Sequence, residues 1–134
     1  VVKTDIGNRS HIDLLVRTFY GKVRKHATLG PIFNKIILEW EEHFEILTHF
    51  WEAQLFLKRQ YFGNPIQAHI HVDKKVGHTV QSEHFGQWLN LWFETIDELF
   101  EGETAFIAKN RAQKMSTMLY IEIFKARKDS TKLD

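Results

Sequence analysis

Cysteine is missing from this chain altogether, and proline stands only at positions 31 and 65. The first absence removes disulfide frames and thiolate metal sites, and it fits a reducing compartment. The second, with only seven glycines in 134 residues, leaves little punctuation for a fold of many short strands and turns. No apolar run approaches the length of a membrane span, and no signal-peptide pattern opens the sequence. The expected location is therefore cytoplasmic, with no membrane partner. An excess of one charge is lacking too. Lys and Arg total 18 against 17 Asp and Glu, a net charge of +1, which supplies no overall field for nucleic acid or an anionic surface. Repeats and low-complexity tracts are absent.

What the chain does carry is aromatic bulk: eleven Phe, four Trp and three Tyr, with eight His beside them. A hydrophobic share of 43% with 26% charged residues is ordinary for one soluble domain with a single core. So many large flat side chains either fill a plain interior or wall a pocket for a large flat ligand.

The apolar positions recur at helical spacing. Ile12, Leu15, Val16, Phe19, Tyr20 and Val23 follow the i, i+3, i+4 pattern, with Ser10 as the expected N-cap and Asp13 three residues on. Gly30-Pro31 is expected to close that segment. A second helix is expected from about Glu39 to Tyr61, with His43, Leu47, Phe50, Trp51 and Leu55 along one side, ended by Gly63-Asn64-Pro65. A short helical turn through His69 and an irregular stretch to Thr79 follow. Ser82 is expected to cap a third long helix that buries Phe85, Trp88, Leu89, Trp92, Phe93, Ile96, Leu99 and Phe100 and ends at Gly102. Thr104 to Lys128 makes the last helix, with Ile107, Ala108, Met115 and Leu119 inward and a basic tail. The fold class is all-α.

Eight histidines invite a metal reading, so the usual spacings are tested first. His-Glu-x-x-His does not occur, and no histidine has a Glu three residues before it, which removes the zinc-protease helix and the di-iron pairs. A zinc site of His69, His71, His78 and His84 stays open. So does a single axial ligand: haem iron takes one neutral imidazole on one face, and the rest of its site is an apolar slot with a few donors opposite.

Four stretches carry a resemblance: "FYGKVRKHATLGPIF" (19–33), "WEEHFEILTHFW" (40–51), "YFGNPIQAH" (61–69) and "HFGQWLNLWFETIDELFEGE" (84–103). In that order, with "AKNRAQKM" (108–115), they resemble the group III truncated haemoglobins of the globin superfamily over about Leu14 to Leu119. The resemblance implies a two-over-two helical sandwich around haem b. It also implies a single truncated-globin domain over 1–134, in which 1–8 is an N-terminal extension and 126–134 a flexible tail. His69 is implied as the proximal iron ligand, with His71 as second choice and a solvated loop histidine as the competing reading. Its other ring nitrogen is expected to donate to a backbone carbonyl or a carboxylate.

On the distal side the resemblance implies Tyr20, Trp88 and His43, with Leu47 one turn beyond His43. Without it, Tyr20 and Trp88 read as core aromatics and His43 as an exposed histidine. Phe33 resembles the phenylalanine that stacks near the macrocycle, and Phe19 packs behind it. Met115 and Trp92 are expected as pocket floor or plain core. Lys58, Arg59, Tyr61 and His71 are expected to pair with the propionates. The stretch from His69 to Trp88 is several residues longer than in some relatives.

Three functions follow as expectations. The first is reversible binding of dioxygen, carbon monoxide, nitric oxide or cyanide-like ligands by a monomer, held tightly because two donors face the ligand. The second is redox chemistry on nitric oxide or peroxide at the same haem, driven by a separate reductase, since no flavin or nicotinamide domain is present. The third is a haem-free helical interaction module. The basic clusters "KVRKH" (22–26) and "KARKDSTK" read as solvated faces, not as nucleic-acid sites.

Overall fold

The structure, a computed structural model, describes residues 2–56 and 65–132, the last four of these as backbone only. Among the described residues there are six helices: α1 Arg9–Lys25, α2 Leu29–Ile36, α3 Trp40–Phe56, α4 Pro65–Lys75, α5 Ser82–Leu99 and α6 Glu103–Lys132. Among the described residues there is no strand. Helices α1 and α3 pack as one pair and α5 and α6 as another; α1 lies on α5 and α3 on α6. The short α2 bridges α1 and α5, and α4 rests on α6. Among the described residues no helix is long and apolar enough to cross a membrane.

The inward face of α1 is the one its spacing predicts: Ile12, Leu15, Val16, Phe19, Tyr20 and Val23 are all buried. Its start differs from expectation. The Asn8 side chain, not Ser10, accepts the amide of His11 at 3.0 Å, and the helix begins at Arg9. Asparagine at the N-cap satisfies an amide that has no partner within the helix. The expected role of Gly30-Pro31 is also corrected. The pair opens α2 instead of closing α1, because proline in a first helical turn loses no hydrogen bond. Gly30 sits where α2 meets the end of α1: a Cβ there would lie 2.7 Å from the Arg24 carbonyl oxygen. His26 Nδ1 accepts the amides of Thr28 and Leu29, each at 3.1 Å, and so starts α2.

The region after Pro65 is more regular than expected. Helix α4 runs on to Lys75 and closes through Gly77 N–H to the Lys74 carbonyl (3.1 Å) and His78 N–H to the Asp73 carbonyl (2.7 Å). Gly77 and His78 both take positive φ, 71° and 59°, which turns the chain out of the helix. Helix α5 is capped from Gln81, whose amide donates to His84 Nδ1 at 2.8 Å, so Ser82 is its first residue and not its cap.

Gly102 does not end α5, which stops at Leu99; it stands directly before α6 with φ 145°. A Cβ there would lie 2.5 Å from Asp5 Cγ. Asp5 explains the crowding, since its carboxylate accepts the amides of Thr104 (2.9 Å) and Ala105 (2.8 Å) at the start of α6. Ile6, 2% exposed, is buried beside it, and Glu101 N–H donates to the Thr4 carbonyl. A residue almost a hundred positions away thus acts as the N-cap of the longest helix.

That cap carries a pH signature. Burial alone would raise the Asp5 carboxyl, but the amides of Thr104, Ala105 and Ile6 outweigh it and hold it below its ordinary 3.8. The unfolded carboxyl takes up its proton near the ordinary value while the folded one resists into stronger acid. This share of the stability is therefore complete above that value and fades as pH falls through the lowered one. Asp5→Ala is expected to cost about 1–2 kcal/mol near neutral pH and to make the loss of stability in acid shallower. Thermal melts of both chains from neutral pH down to pH 3 check it; superimposable acid profiles would count against the cap.

Candidate functional site

Between the two helix pairs lies a cavity of about 210 Å³ with mostly apolar walls. Helix α1 supplies Phe19 and Tyr20, α2 Phe33, α3 His43 and Leu47, α4 His69, α5 Trp88 and Trp92, and α6 Met115. Phe19, Tyr20, Phe33, His43, Leu47, His69, Trp88, Trp92 and Met115, all named from the sequence, meet at this one space, whereas His71 and His78 do not line it. Tyr61, with Lys58 and Arg59, lies outside the described residues, as does the Gly63-Asn64 part of the turn.

The two histidines of α4 are separated by helical geometry, which swings successive side chains apart. His69 faces the cavity, whereas His71 is exposed. His69 Nδ1 lies 2.7 Å from the Pro65 carbonyl. Because a carbonyl can only accept, Nδ1 is the protonated nitrogen, and Nε2 is the nitrogen with a lone pair. Proline at the head of α4 contributes twice: it fixes the helix start, and its carbonyl one turn back meets the ring. Burial lowers the His69 pKa, partly offset by the bond to Pro65, so the ring is held neutral.

His43, brought to the same cavity by α3, is also held neutral, first by burial and then by its proximity to His69. The Tyr20 ring lies 5.8 Å from that of His43, 5.7 Å from Phe33 and 5.7 Å from Trp40. Its hydroxyl is pushed up to about 12 by burial, against the lowering effect of a hydrogen bond with Trp88. An indole N–H can only donate, so in this contact Trp88 is the donor and the phenolic O–H stays available to an acceptor. Phe19 wedges edge-on between Tyr20, Trp88 and Trp92, with centroids 4.8–5.2 Å apart. Behind them Trp88, Trp92 and Trp51 form a stack, with centroids 5.8 and 4.7 Å apart.

Sequence reasoning missed part of the wall. Ile32, Val72, Val80, His84, Phe85 and Ile123 also line the cavity. Phe85 was read as buried core; the helical phase shows that it points inward but not that the interior is hollow. Val80 comes from the connection between α4 and α5 and carries no periodic signal. The four histidines considered for zinc do not converge: His78 Nδ1 lies 3.2 Å from Asp73, and His84 is engaged in the α5 cap. Among the described residues no cluster of three or more His, Cys, Asp or Glu is placed to hold a metal ion.

Stacked helix pairs around an apolar cavity, with one neutral histidine set into it from a short separate helix, define a globin-like protein. The crystal structure of the group III truncated hemoglobin from Campylobacter jejuni superimposes with a TM-score of 0.82 at 29% identity, covering 93% of this chain and 98% of that one. The curated Group 3 truncated hemoglobin ctb of Campylobacter jejuni is 32% identical over 127 residues, 89% of this chain and 96% of that protein. No family model matches. The chain belongs to the group III truncated haemoglobins.

Proposed function

We propose that this protein binds haem b through His69 Nε2 and reversibly takes up dioxygen and other small diatomic ligands on the side of Tyr20, Trp88 and His43. The observation that carries the reading is the state of His69: a ring facing an apolar cavity, held neutral by burial, with Nδ1 engaged by the Pro65 carbonyl. That is the form an axial imidazole must take, with its tautomer and orientation set by the second nitrogen. The aromatic, mostly apolar walls fit a large flat pigment, and the few donors come from helices other than that of His69. When bound, haem supplies an iron centre that coordinates a diatomic molecule.

The chain's own residues set how tightly that molecule is kept. Tyr20 remains protonated at any physiological pH, because burial pushes its hydroxyl up to about 12, and so it keeps an O–H available to donate. A hydrogen bond to an acceptor carrying negative charge contributes about 1.5–3 kcal/mol, or roughly tenfold or more in affinity. Tight, slow release suits retention or chemistry better than bulk delivery. Tyr20→Phe is expected to raise the dioxygen dissociation rate by roughly tenfold or more, measured by stopped-flow; a rate equal to that of the parent chain would remove Tyr20 from this role.

The same polar trio also favours a second reading, turnover of nitric oxide or peroxide with a separate reductase, because donors that retain dioxygen also polarise an oxygen–oxygen bond. Absorption spectra of the ferric, ferrous and carbonyl forms test the first proposal, and steady turnover with a reductase separates the second from it. A purified chain with no Soret band, colourless even after incubation with hemin, would refute both and leave a haem-free helical module.

A further inference from the structure

How is the orientation of His69 in the cavity fixed? The ring is tied to its own helix, since Nδ1 donates to the carbonyl of Pro65 one turn earlier. Ring and α4 therefore move as one body, and the question becomes what holds α4. Its one extensive packing partner among the described helices is α6.

That seam contains an ion pair in the interior. Asp73, on α4 one turn beyond His69, is 2% exposed. Arg127 of α6 grips it with both prongs, Nε to Oδ2 at 2.8 Å and Nη2 to Oδ1 at 2.6 Å. The same carboxylate accepts the Val80 amide at 3.2 Å, and Arg127 Nη2 also donates to the Val80 carbonyl at 2.5 Å. Val80 is itself part of the cavity wall. One carboxylate thus joins α4, the connection into α5, and α6. A two-pronged contact between planar groups constrains rotation as well as distance. Apolar packing alone, being non-directional, would let a short helix turn about its axis.

We propose that the Asp73–Arg127 pair is a positioning device for the haem ligand, setting the rotation of α4 and through it the angle at which His69 meets the pigment. This rests on the ligation proposed above. Arg127 lies 58 residues from the histidine it governs and does not line the cavity.

The test uses the full chain loaded with haem, with Arg127→Gln and Asp73→Asn as the principal variants and Arg127→Lys as the conservative one. Two readouts are followed: the iron–histidine stretching band of the ferrous form by resonance Raman, and the rate of haem transfer to excess apomyoglobin. The expected result is a shifted, broadened band and transfer faster by about tenfold, the lower end for groups that orient a metal ligand, with Lys partly restoring both. Gly30→Ala, a destabilising change at the far α1–α2 corner, is the control for a general loss of rigidity and should leave the band in place. A band and transfer rate equal to the parent's in Arg127→Gln and Asp73→Asn would overturn the positioning role. So would an equal shift in Gly30→Ala. His69→Gly separates the two proposals: if it keeps the parent's iron–histidine band, the ligation itself is wrong, whereas its loss beside an unmoved band in Arg127→Gln sinks only the positioning. Should Asp73→Asn fail to fold, Arg127→Gln and Arg127→Lys still decide, because their site is partly open to solvent.

Discussion

His69→Gly is expected to leave a chain that no longer retains haem, while His71→Gly keeps it. The two changes are matched by design. Each puts glycine into α4, where it costs about 1 kcal/mol of helix stability, and each removes one imidazole. They differ in what the imidazole faces: the cavity for His69, solvent for His71. If haem is held only by apolar contact, both variants keep it equally. If iron is gripped by position 69, only that variant loses the bond. Disturbing groups that merely orient a metal ligand costs 10–100-fold in affinity, so removal of the ligand should weaken retention by roughly 100-fold or more. Apomyoglobin transfer measures the loss, and millimolar imidazole added to His69→Gly should restore a six- or five-coordinate Soret spectrum. Equal retention in the two variants would contradict the assignment.

The largest effect on folding is expected at Trp92. It is the bulkiest fully buried side chain, 1% exposed, lying flat between Trp51 and Trp88 with Phe19 against its face or edge. Its indole N–H donates to the Ala108 carbonyl on α6 at 3.3 Å. It therefore joins α1, α3, α5 and α6 at one point. Trp92→Ala should cost about 3–5 kcal/mol, a large part of the roughly 5–15 kcal/mol that keeps a domain folded. Trp92→Phe fills more of the space and should cost less than half as much. Denaturant titration of the haem-free chains measures both, and the haem-free form is needed because a bound ligand adds stability by mass action. A loss below about 1 kcal/mol in Trp92→Ala would mean that the interior closes over the gap, contrary to the close packing of these rings.

The fold was legible in the sequence wherever one helix face does one job. The buried stripe of α1 follows from spacing alone, as do the inward Trp92 and Ile96 of α5 and Phe100 just past its end. Punctuation was harder to read. Gly30-Pro31 marks a break in either direction, and only the start of α2 tells which. Gly102 serves a cap contributed by Asp5 from the other end of the chain, for which no local signal exists. Caps at Asn8 and Gln81 replaced the two serines because hydrogen bonds, not residue preferences, choose among neighbours.

The candidate site divides in the same way. Spacing points Phe19, Tyr20, Trp88 and Met115 inward, but a core and a cavity wall share that signal. The choice of His69 over His71 came from the resemblance; the helical phase of α4 then separates them in space. The Asp73–Arg127 pair brings together residues that no periodicity connects.

The stack of Trp51, Trp92 and Trp88 makes the protein self-reporting. Three of its four indoles border the cavity, so ultraviolet emission from the haem-free chain should darken as a strongly absorbing guest enters and recover when it leaves. No dye or label is needed. Titration with hemin, followed at the tryptophan band, would read occupancy in real time, and an undimmed signal at saturation would place the guest somewhere other than beside those rings.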